Sequence, residues 1–247
     1  MQRRSFLHAT GITGLALTLF PNITLAQLQA QEKEYSLSEL MGKSAIDLHG
    51  KDINLVKEAH DAFIDMKRAA YSAGVDLKIV SSYRSFDRQQ VIFERKFIAY
   101  TDAGMTPLAA INKIIEYSTI PGTSRHHWGT DIDVIDGYQK VSGDVLVPSK
   151  YAEGQPFANF KKWMDENSEK FGFYLVYTDN PKRRGFKYEP WHYSYAPISV
   201  PMLDAFRSKN ILQLYKNETF LGSEHFTAGF LRTYIADHIL DINQKLL

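Results

Sequence analysis

Two adjacent histidines precede a short run in which aspartates alternate with isoleucine and valine. His126 and His127 come just before Gly129, and Asp131 and Asp133 lie two residues apart in the run that follows. Such alternation is typical of a β-strand with one polar face, on which residues two apart point the same way. The pattern therefore predicts a polar loop that bends at Gly129 and continues as a strand. His126 and Asp133 can then converge on one divalent ion.

The side-chain types of His126 and Asp133 favour zinc over other metals. An imidazole and a carboxylate, without a thiolate, suit zinc in a catalytic site, where three protein ligands leave one position open. Two plainer interpretations stay open on these residues alone. Paired histidines also occur in solvated loops or hydrogen-bonded clusters, and alternating aspartates also occur on solvated sheet faces. A third metal ligand and a catalytic base must be found elsewhere in the chain before a zinc site is favoured over these two interpretations.

The third ligand is best sought in the segment Glu189-Pro190-Trp191-His192. Residues three apart point to opposite faces of an unbroken strand, but Pro190 cannot donate to a sheet ladder and forces an irregularity. That irregularity can bring Glu189 and His192 to the same side. We expect His192 to bind zinc and Glu189 to act as the base for the metal-bound water, whose pKa zinc lowers from about 15.7 to about 7. Glu189 then passes the proton to the leaving amine.

Arg84 lies between a strand predicted over residues 75–80 and a helix predicted from Arg88 to about Tyr100. Such junctions often carry functional side chains on a rigid support. The oxyanion that forms during hydrolysis needs a positive partner besides the metal, and Arg84 is the candidate. The alternative interpretation is an ordinary surface arginine.

Composition and motifs exclude several other classes of site. The chain has no cysteine, which excludes disulfides, thiolate metal sites and a cysteine nucleophile. Its formal net charge of +1, without a strong Lys/Arg cluster, gives no electrostatic case for nucleic acid or for a membrane surface. The sequence lacks a His-Glu-x-x-His helix, a Gly-x-Ser-x-Gly elbow, a Ser-x-x-Lys motif and a glycine-rich phosphate loop.

Residues 1–26 are predicted to be an export signal that is cleaved before Gln27. Arg3 and Arg4 form a twin-arginine pattern, and the mildly apolar run that follows is too short for a permanent membrane span. The alternative is an uncleaved amphipathic N-terminus. We expect the twin-arginine export machinery to carry the protein to the periplasm, with no permanent span.

Apolar periodicity predicts a mixture of helices and strands in the mature chain. An irregular segment over residues 137–155 is expected to flank the cleft, with a candidate hairpin at residues 142–144. No linker divides residues 27–247, so we expect one domain with a core at about 50–198 and a helical extension over 199–247. Helices are predicted over 54–73, 88–100, 106–118 and 156–170, and strands over 75–80, 131–136, 173–177 and 186–195.

Three motifs follow one another along the chain: Ser81-Ser82-Tyr83-Arg84-Ser85 with Gln89, Ser124-x-His126-x-x-Gly129-x-x-x-Asp133, and Glu189-Pro190-Trp191-His192. In this order they resemble the VanY-type D-alanyl-D-alanine carboxypeptidase family of zinc peptidases, over roughly residues 75–195. The resemblance implies an α+β fold in which a small antiparallel sheet carries the zinc site and is flanked by helices.

The resemblance also implies one zinc ion bound by His126, Asp133 and His192, with Glu189 as catalytic base. The family usually has a small apolar residue where this chain has Asp131. A second carboxylate on the same strand face can tune the metal or bind an imidazole. It leaves open which aspartate is the ligand, and Asp133 is favoured. His127 and Trp128, which follow His126, are bulkier than is usual in the family. They either line the substrate cleft or pack inside the protein.

The substrate side of the resemblance involves three further residues. Arg84 is implied to bind the substrate carbonyl or to stabilise the transition state, and Gln89 and Ser124 to help hold the site or the substrate. The family removes terminal D-amino acids from peptidoglycan stem peptides, so such peptides are the expected partners. An L,D-carboxypeptidase, a stem-peptide endopeptidase and a non-catalytic cell-wall binding module remain as alternatives. Glu189 argues against the last, because metal binding alone does not need it.

Overall fold

A computed structural model describes residues 34–215 and 218–247 of the chain. The export signal predicted over residues 1–26, with its cleavage site, lies outside these residues. In the described part of the chain, no helix is both long and apolar enough to cross a membrane.

The described residues contain a four-stranded antiparallel sheet. Asp133 lies opposite Ser81 on one neighbouring strand and opposite His192 on the other. Side chains in directly opposed positions have Cβ atoms about 4.5–5.5 Å apart, so the register alone brings Asp133 beside His192. The strands are β1 (Leu77–Ser81), β2 (Asp131–Asp136), β3 (Phe173–Leu175) and β4 (His192–Tyr195), in the order β1-β2-β4-β3.

Helices flank this sheet, which confirms the predicted α+β class. Two short segments that carry site residues are not regular helices. Arg125–Trp128 is a 3₁₀ turn, and residues 189–192 form a β-turn. A π-helical turn, Ile235–Ile239, continues the last α-helix. The α-helices in the described residues are α1 (Leu37–Leu40), α2 (Lys57–Ser72), α3 (Phe86–Asp102), α4 (Pro107–Ile114), α5 (Ala158–Asn167), α6 (Ala196–Arg207), α7 (Ile211–Leu214) and α8 (Ala228–Tyr234).

Local capping explains where the helices begin. The Ser85 hydroxyl accepts a hydrogen bond from the Arg88 amide at the start of α3, and Thr106 caps α4 in the same way. The predicted start of α2 at Asn54 is wrong. Asn54 has a φ of 50°, outside the helical range, and the helix begins only at Lys57.

Two further expectations about secondary structure are wrong. The described residues 137–155 contain no strand, so the hairpin at 142–144 is not formed, and the segment has only a short 3₁₀ turn at Pro148–Tyr151. Of the strand predicted over residues 186–195, only β4 (His192–Tyr195) is formed. The residues before β4 have other partners: the Lys187 amide donates to the Glu116 carbonyl at 3.0 Å.

Buried apolar residues form two clusters. One joins the sheet to α2 and α5 through residues such as Phe63, Ile132 and Phe160. The other joins α3 and α4 to the C-terminal helices through residues such as Phe93 and Phe206. The helix that follows Arg84 and the strands that carry Asp133 and His192 are therefore each held by a core of their own.

The segment after residue 198, predicted to be helical, packs against the chain just before Glu189. The Arg183 guanidinium donates to the Asp241 carbonyl at 2.9 Å, and the Asn243 amide donates to the Val176 carbonyl at 3.0 Å. The C-terminal segment thus supports the approach to β4.

The contact at Gly185 gives a prediction about stability. A Cβ on Gly185 would lie 1.7 Å from the Asp237 carbonyl oxygen, so Gly185→Ala should lower the free energy of unfolding by about 2 kcal/mol or more. Gly229 is the matched control, because its added Cβ would meet only Thr227 Oγ1 at 3.8 Å. Gly229→Ala should leave the free energy unchanged or raise it by up to about 1 kcal/mol. Urea unfolding measures both, and equal stabilities would contradict the packing.

Candidate active site

Three buried side chains lie together where the central strands β2 and β4 meet the 3₁₀ turn Arg125–Trp128. His126, Asp133 and His192 each offer a ligand atom, and these atoms lie within 4.8 Å of one another. The distance from His126 Nε2 to Asp133 Oδ2 is 3.5 Å, and that from His192 Nδ1 to Asp133 Oδ1 is 3.9 Å. Each residue is 5% exposed or less. Two imidazoles and a carboxylate without thiolate form a donor set that fits zinc.

Backbone contacts orient His126. It lies in the 3₁₀ turn Arg125–Trp128, which ends at Gly129 with a φ of 67°, a value that favours glycine. His126 Nδ1 lies 2.7 Å from the Ser82 carbonyl oxygen. Because a carbonyl only accepts, Nδ1 carries the hydrogen, and the lone pair of Nε2 faces Asp133.

The segment Glu189-Pro190-Trp191-His192 forms a β-turn. The His192 amide donates to the Glu189 carbonyl at 3.0 Å, and Pro190 occupies the second position, where its fixed φ favours the turn. The turn brings the two side chains to the same side, as its sequence predicts. Glu189 Oε2 lies 3.0 Å from His192 Nδ1.

Asp131 contacts the opposite nitrogen of His192. Its Oδ2 atom lies 2.9 Å from His192 Nε2 and accepts from Arg125 Nε at 3.0 Å. Its Oδ1 atom accepts from the hydroxyls of Thr130 and Ser194, at 2.8 and 2.6 Å. Burial by itself raises the pKa of this carboxyl. The charge of Arg125 and the hydrogen bond to His192 outweigh burial and bring the pKa well below its usual value, so that Asp131 stays ionised. The structure thus places Asp133, and not Asp131, in the three-residue cluster.

The two carboxylates also set the protonation of His192. Burial by itself lowers the pKa of His192, whereas the hydrogen bonds to Asp131 and Glu189 raise it to about 10. Burial raises the pKa of Glu189. A metal ion and a proton compete for His192 Nδ1, while Asp131 holds the hydrogen on Nε2 in either case.

Arg84 lies beside the cluster, and Gln89 fixes its position. The Arg84 guanidinium donates to Gln89 Oε1 at 2.7 Å and to Ser81 Oγ at 3.0 Å, and lies 4.0 Å from Asp133 Oδ2. The Gln89 side chain is fully buried and donates to the Thr119 carbonyl at 2.7 Å. Of the two roles expected for Gln89, this position fits holding the site, because Gln89 does not line the cavity.

A cavity of about 470 Å³ opens on the cluster. Arg84, Ser124 and Glu189 line it together with the three clustered residues. Residues 146–148 form part of the wall, so the segment 137–155 does flank the cleft. Lys96 on α3 and the ring of Tyr177 lie on other parts of the wall.

His127 and Trp128 pack and do not line the cavity. His127 Nδ1 lies 2.6 Å from the Arg84 carbonyl oxygen, and Nε2 accepts from the Gly122 amide at 3.1 Å. Burial lowers the pKa of His127 to about 3, which keeps the ring neutral. Trp128 donates to the Leu40 carbonyl at 3.1 Å.

Sequence reasoning did not single out Arg125 or Lys96. Arg125 is 3% exposed and pairs with Asp131, and its place between Ser124 and His126 in the second motif was the available signal. Lys96 lies seven residues after Gln89 on one face of α3, a spacing that amounts to two helical turns.

Comparisons with known proteins found a matching family model and related proteins. The family model "VanY: D-alanyl-D-alanine carboxypeptidase" matches residues 52–198. A D-alanyl-D-alanine carboxypeptidase of Enterococcus faecalis is 29% identical over 205 residues, which are 78% of this chain and 70% of the relative. A D-alanyl-D-alanine carboxypeptidase of Enterococcus faecium is 30% identical over 163 residues, which are 65% of this chain and 43% of the relative.

Two solved structures share the fold. VanYB in complex with D-alanine-D-alanine has a TM-score of 0.51 at 24% identity, with 72% of this chain and 92% of that chain covered. A mutant of the vancomycin resistance D,D-pentapeptidase VanY in complex with Zn(II) has a TM-score of 0.50 at 24% identity, with 68% and 89% covered. The family match spans more than half of the chain and includes the three clustered residues together with Arg84 and Glu189. The chain therefore belongs to the VanY D-alanyl-D-alanine carboxypeptidase family of zinc peptidases.

Proposed function

We propose that this protein is a zinc-dependent carboxypeptidase that removes a terminal D-alanine from peptidoglycan stem peptides. The observation that carries the proposal is the buried cluster of His126, Asp133 and His192, with Glu189 3.0 Å from His192 and Arg84 4.0 Å from Asp133. The E. faecalis relative named for this activity and the D-alanine-D-alanine complex of VanYB support the substrate class.

The zinc ligands in this proposal are His126 through Nε2, His192 through Nδ1 and the Asp133 carboxylate. The opposite nitrogens of the two rings are held by Ser82 and Asp131, which leaves the ligand nitrogens turned towards Asp133. When bound, zinc would supply Lewis acidity, which lowers the pKa of a coordinated water from about 15.7 to about 7. The Zn(II) complex of a VanY mutant supports the choice of metal.

Glu189 and Arg84 divide the remaining chemistry. Glu189 takes a proton from the attacking water and then gives it to the amine that leaves when the peptide bond breaks. Burial, which raises the pKa of Glu189, makes its carboxylate a better proton acceptor. Arg84 donates to the carbonyl oxygen as that oxygen gains negative charge, and Gln89 and Ser81 hold the guanidinium ready for it.

The place of action is also a proposal. The twin-arginine pattern at Arg3 and Arg4 supports export to the periplasm, where stem peptides are accessible. Mass spectrometry of protein from the periplasmic fraction should give the mass of a chain that begins at Gln27.

Metal removal and defined stem peptides test the proposal together. We expect D-alanine release from a pentapeptide stem ending in D-alanyl-D-alanine, loss of that activity on chelation, and its return on addition of zinc. A stem ending in L-alanine is the control and should stay intact. Release from the tetrapeptide stem alone would instead indicate an L,D-carboxypeptidase, and cleavage within the stem an endopeptidase. Full activity in metal-free protein would contradict the mechanism.

A further inference from the structure

Lys96 is a cation on the cavity wall that forms no ion pair or hydrogen bond with any described residue. It lines the cavity with Ile92, one helical turn earlier on the same face of α3. An ammonium held beside a cavity without a partner loses hydration and gains nothing in return, unless a ligand supplies an anion.

Two arginines also line the cavity, and both have partners within the protein. Arg84 donates to Gln89 and Ser81, and its proposed work is on the scissile carbonyl. Arg125 is paired with Asp131, which balances its charge, although its Nη1 atom lacks a hydrogen-bond partner. Lys96 is therefore the cavity-lining cation among the described residues that has no ion pair of its own.

Lys96 lines the same cavity as Arg84 and Glu189. Burial lowers the pKa of Lys96, the positive charge of Arg84 lowers it further, and the negative charge of Glu189 opposes both. The charges of Arg84 and Glu189 thus act on the ammonium in opposite directions. The negative charge of Asp144, which also lines the cavity, raises the pKa of Lys96 as well. Asp144 is exposed, however, and its carboxylate accepts from the Leu146 amide at 2.9 Å and forms no ion pair with Lys96. A bound anion would relieve the repulsion between Lys96 and Arg84.

We propose that Lys96 binds the C-terminal carboxylate of the peptide. This inference rests on the proposed function and deepens it. The carboxylate of the departing residue lies about one residue length, roughly 3.5 Å, from the scissile bond, and every peptide cut by a carboxypeptidase carries one there. Lys96 thus selects chain ends over internal bonds.

The test compares a pentapeptide stem ending in D-alanyl-D-alanine with the same peptide as its C-terminal amide. Lys96→Met should raise KM for the free acid at least tenfold, change kcat less than threefold, and leave kcat/KM for the amide unchanged. Lys96→Arg should recover most of the loss. Arg95→Met is the matched control, because it removes a positive charge from the adjacent, exposed position of α3, and it should behave as wild type.

Calorimetric binding of both peptides to the Glu189→Gln protein repeats the comparison without turnover. There Lys96→Met should weaken binding of the acid at least tenfold and binding of the amide not at all. Equal effects on acid and amide, or no effect on either, would overturn the assignment of Lys96. If wild-type protein released no D-alanine while the acid still bound through Lys96, the proposed function would fail and this inference would stand.

Discussion

Glu189→Gln is expected to lower kcat at least 100-fold and to leave the bound zinc in place. The substitution keeps the size of the side chain but removes its ability to accept a proton, and a positioned general base contributes about 10²–10⁴-fold to a rate. Glu189 is not a member of the His126, Asp133 and His192 cluster, so the metal keeps its three ligands. D-alanine release gives kcat, and elemental analysis gives the zinc content.

Glu153→Gln serves as the control for this experiment. Glu153 is exposed, in the segment that flanks the cleft, and its substitution removes the same charge without touching the proton path. We expect wild-type kcat. A Glu189→Gln protein that kept more than a tenth of wild-type kcat would rule out Glu189 as the base, and one that lost its zinc would show that Glu189 mainly supports His192.

The centre of the site is encoded locally, which is why its residues could be found in the sequence. The alternation at Asp131 and Asp133 predicts a strand, and β2 is that strand. Pro190 predicts the irregularity that turns Glu189 towards His192, and the β-turn is that irregularity. In both cases the information lies within six residues, where backbone geometry decides the outcome.

What could not be predicted depends on contacts between distant segments. The polar face of β2 is not solvated, because all six of its residues are buried. The sequence predicts that residues 186–191 belong to a strand, but the Lys187 and Glu189 amides donate to the Glu116 and Tyr177 carbonyls instead. Apolar periodicity predicts helices after residue 198, yet it carries no information on their packing against Arg183 and Gly185.

The role of Asp131 also required the structure. Its spacing from Asp133 makes it a competing ligand in the sequence, since both point to one face of the strand. In the folded chain Asp131 and Asp133 face different nitrogens of His192. Arg125 then compensates the buried charge of Asp131, which no rule of spacing indicates.

Asp131→Asn is expected to weaken zinc binding about 10- to 100-fold, the range found when partners of ligand histidines are removed. The ionised carboxylate holds a hydrogen on His192 Nε2, so that Nδ1 is the nitrogen at which a metal ion can replace a proton. The neutral amide accepts this hydrogen bond more weakly, and it can also turn its own N–H groups towards the ring, which favours the wrong tautomer. Competition with a chromophoric chelator measures the zinc affinity.

A lower zinc affinity could also reflect a damaged fold, because Asp131→Asn leaves the buried Arg125 without its counter-charge, and losing one partner of a buried pair costs about 3–5 kcal/mol. Thr130→Val separates the two effects: it removes the donor at 2.8 Å from Asp131 Oδ1 and leaves the contact with His192 in place. We expect its zinc affinity within threefold of wild type. The ¹⁵N shifts of His192 should report hydrogen on Nε2 in zinc-loaded wild type and a mixture of tautomers in metal-free Asp131→Asn. A folded Asp131→Asn protein with wild-type zinc affinity would show that Arg125, and not His192, is the reason for a carboxylate at this position.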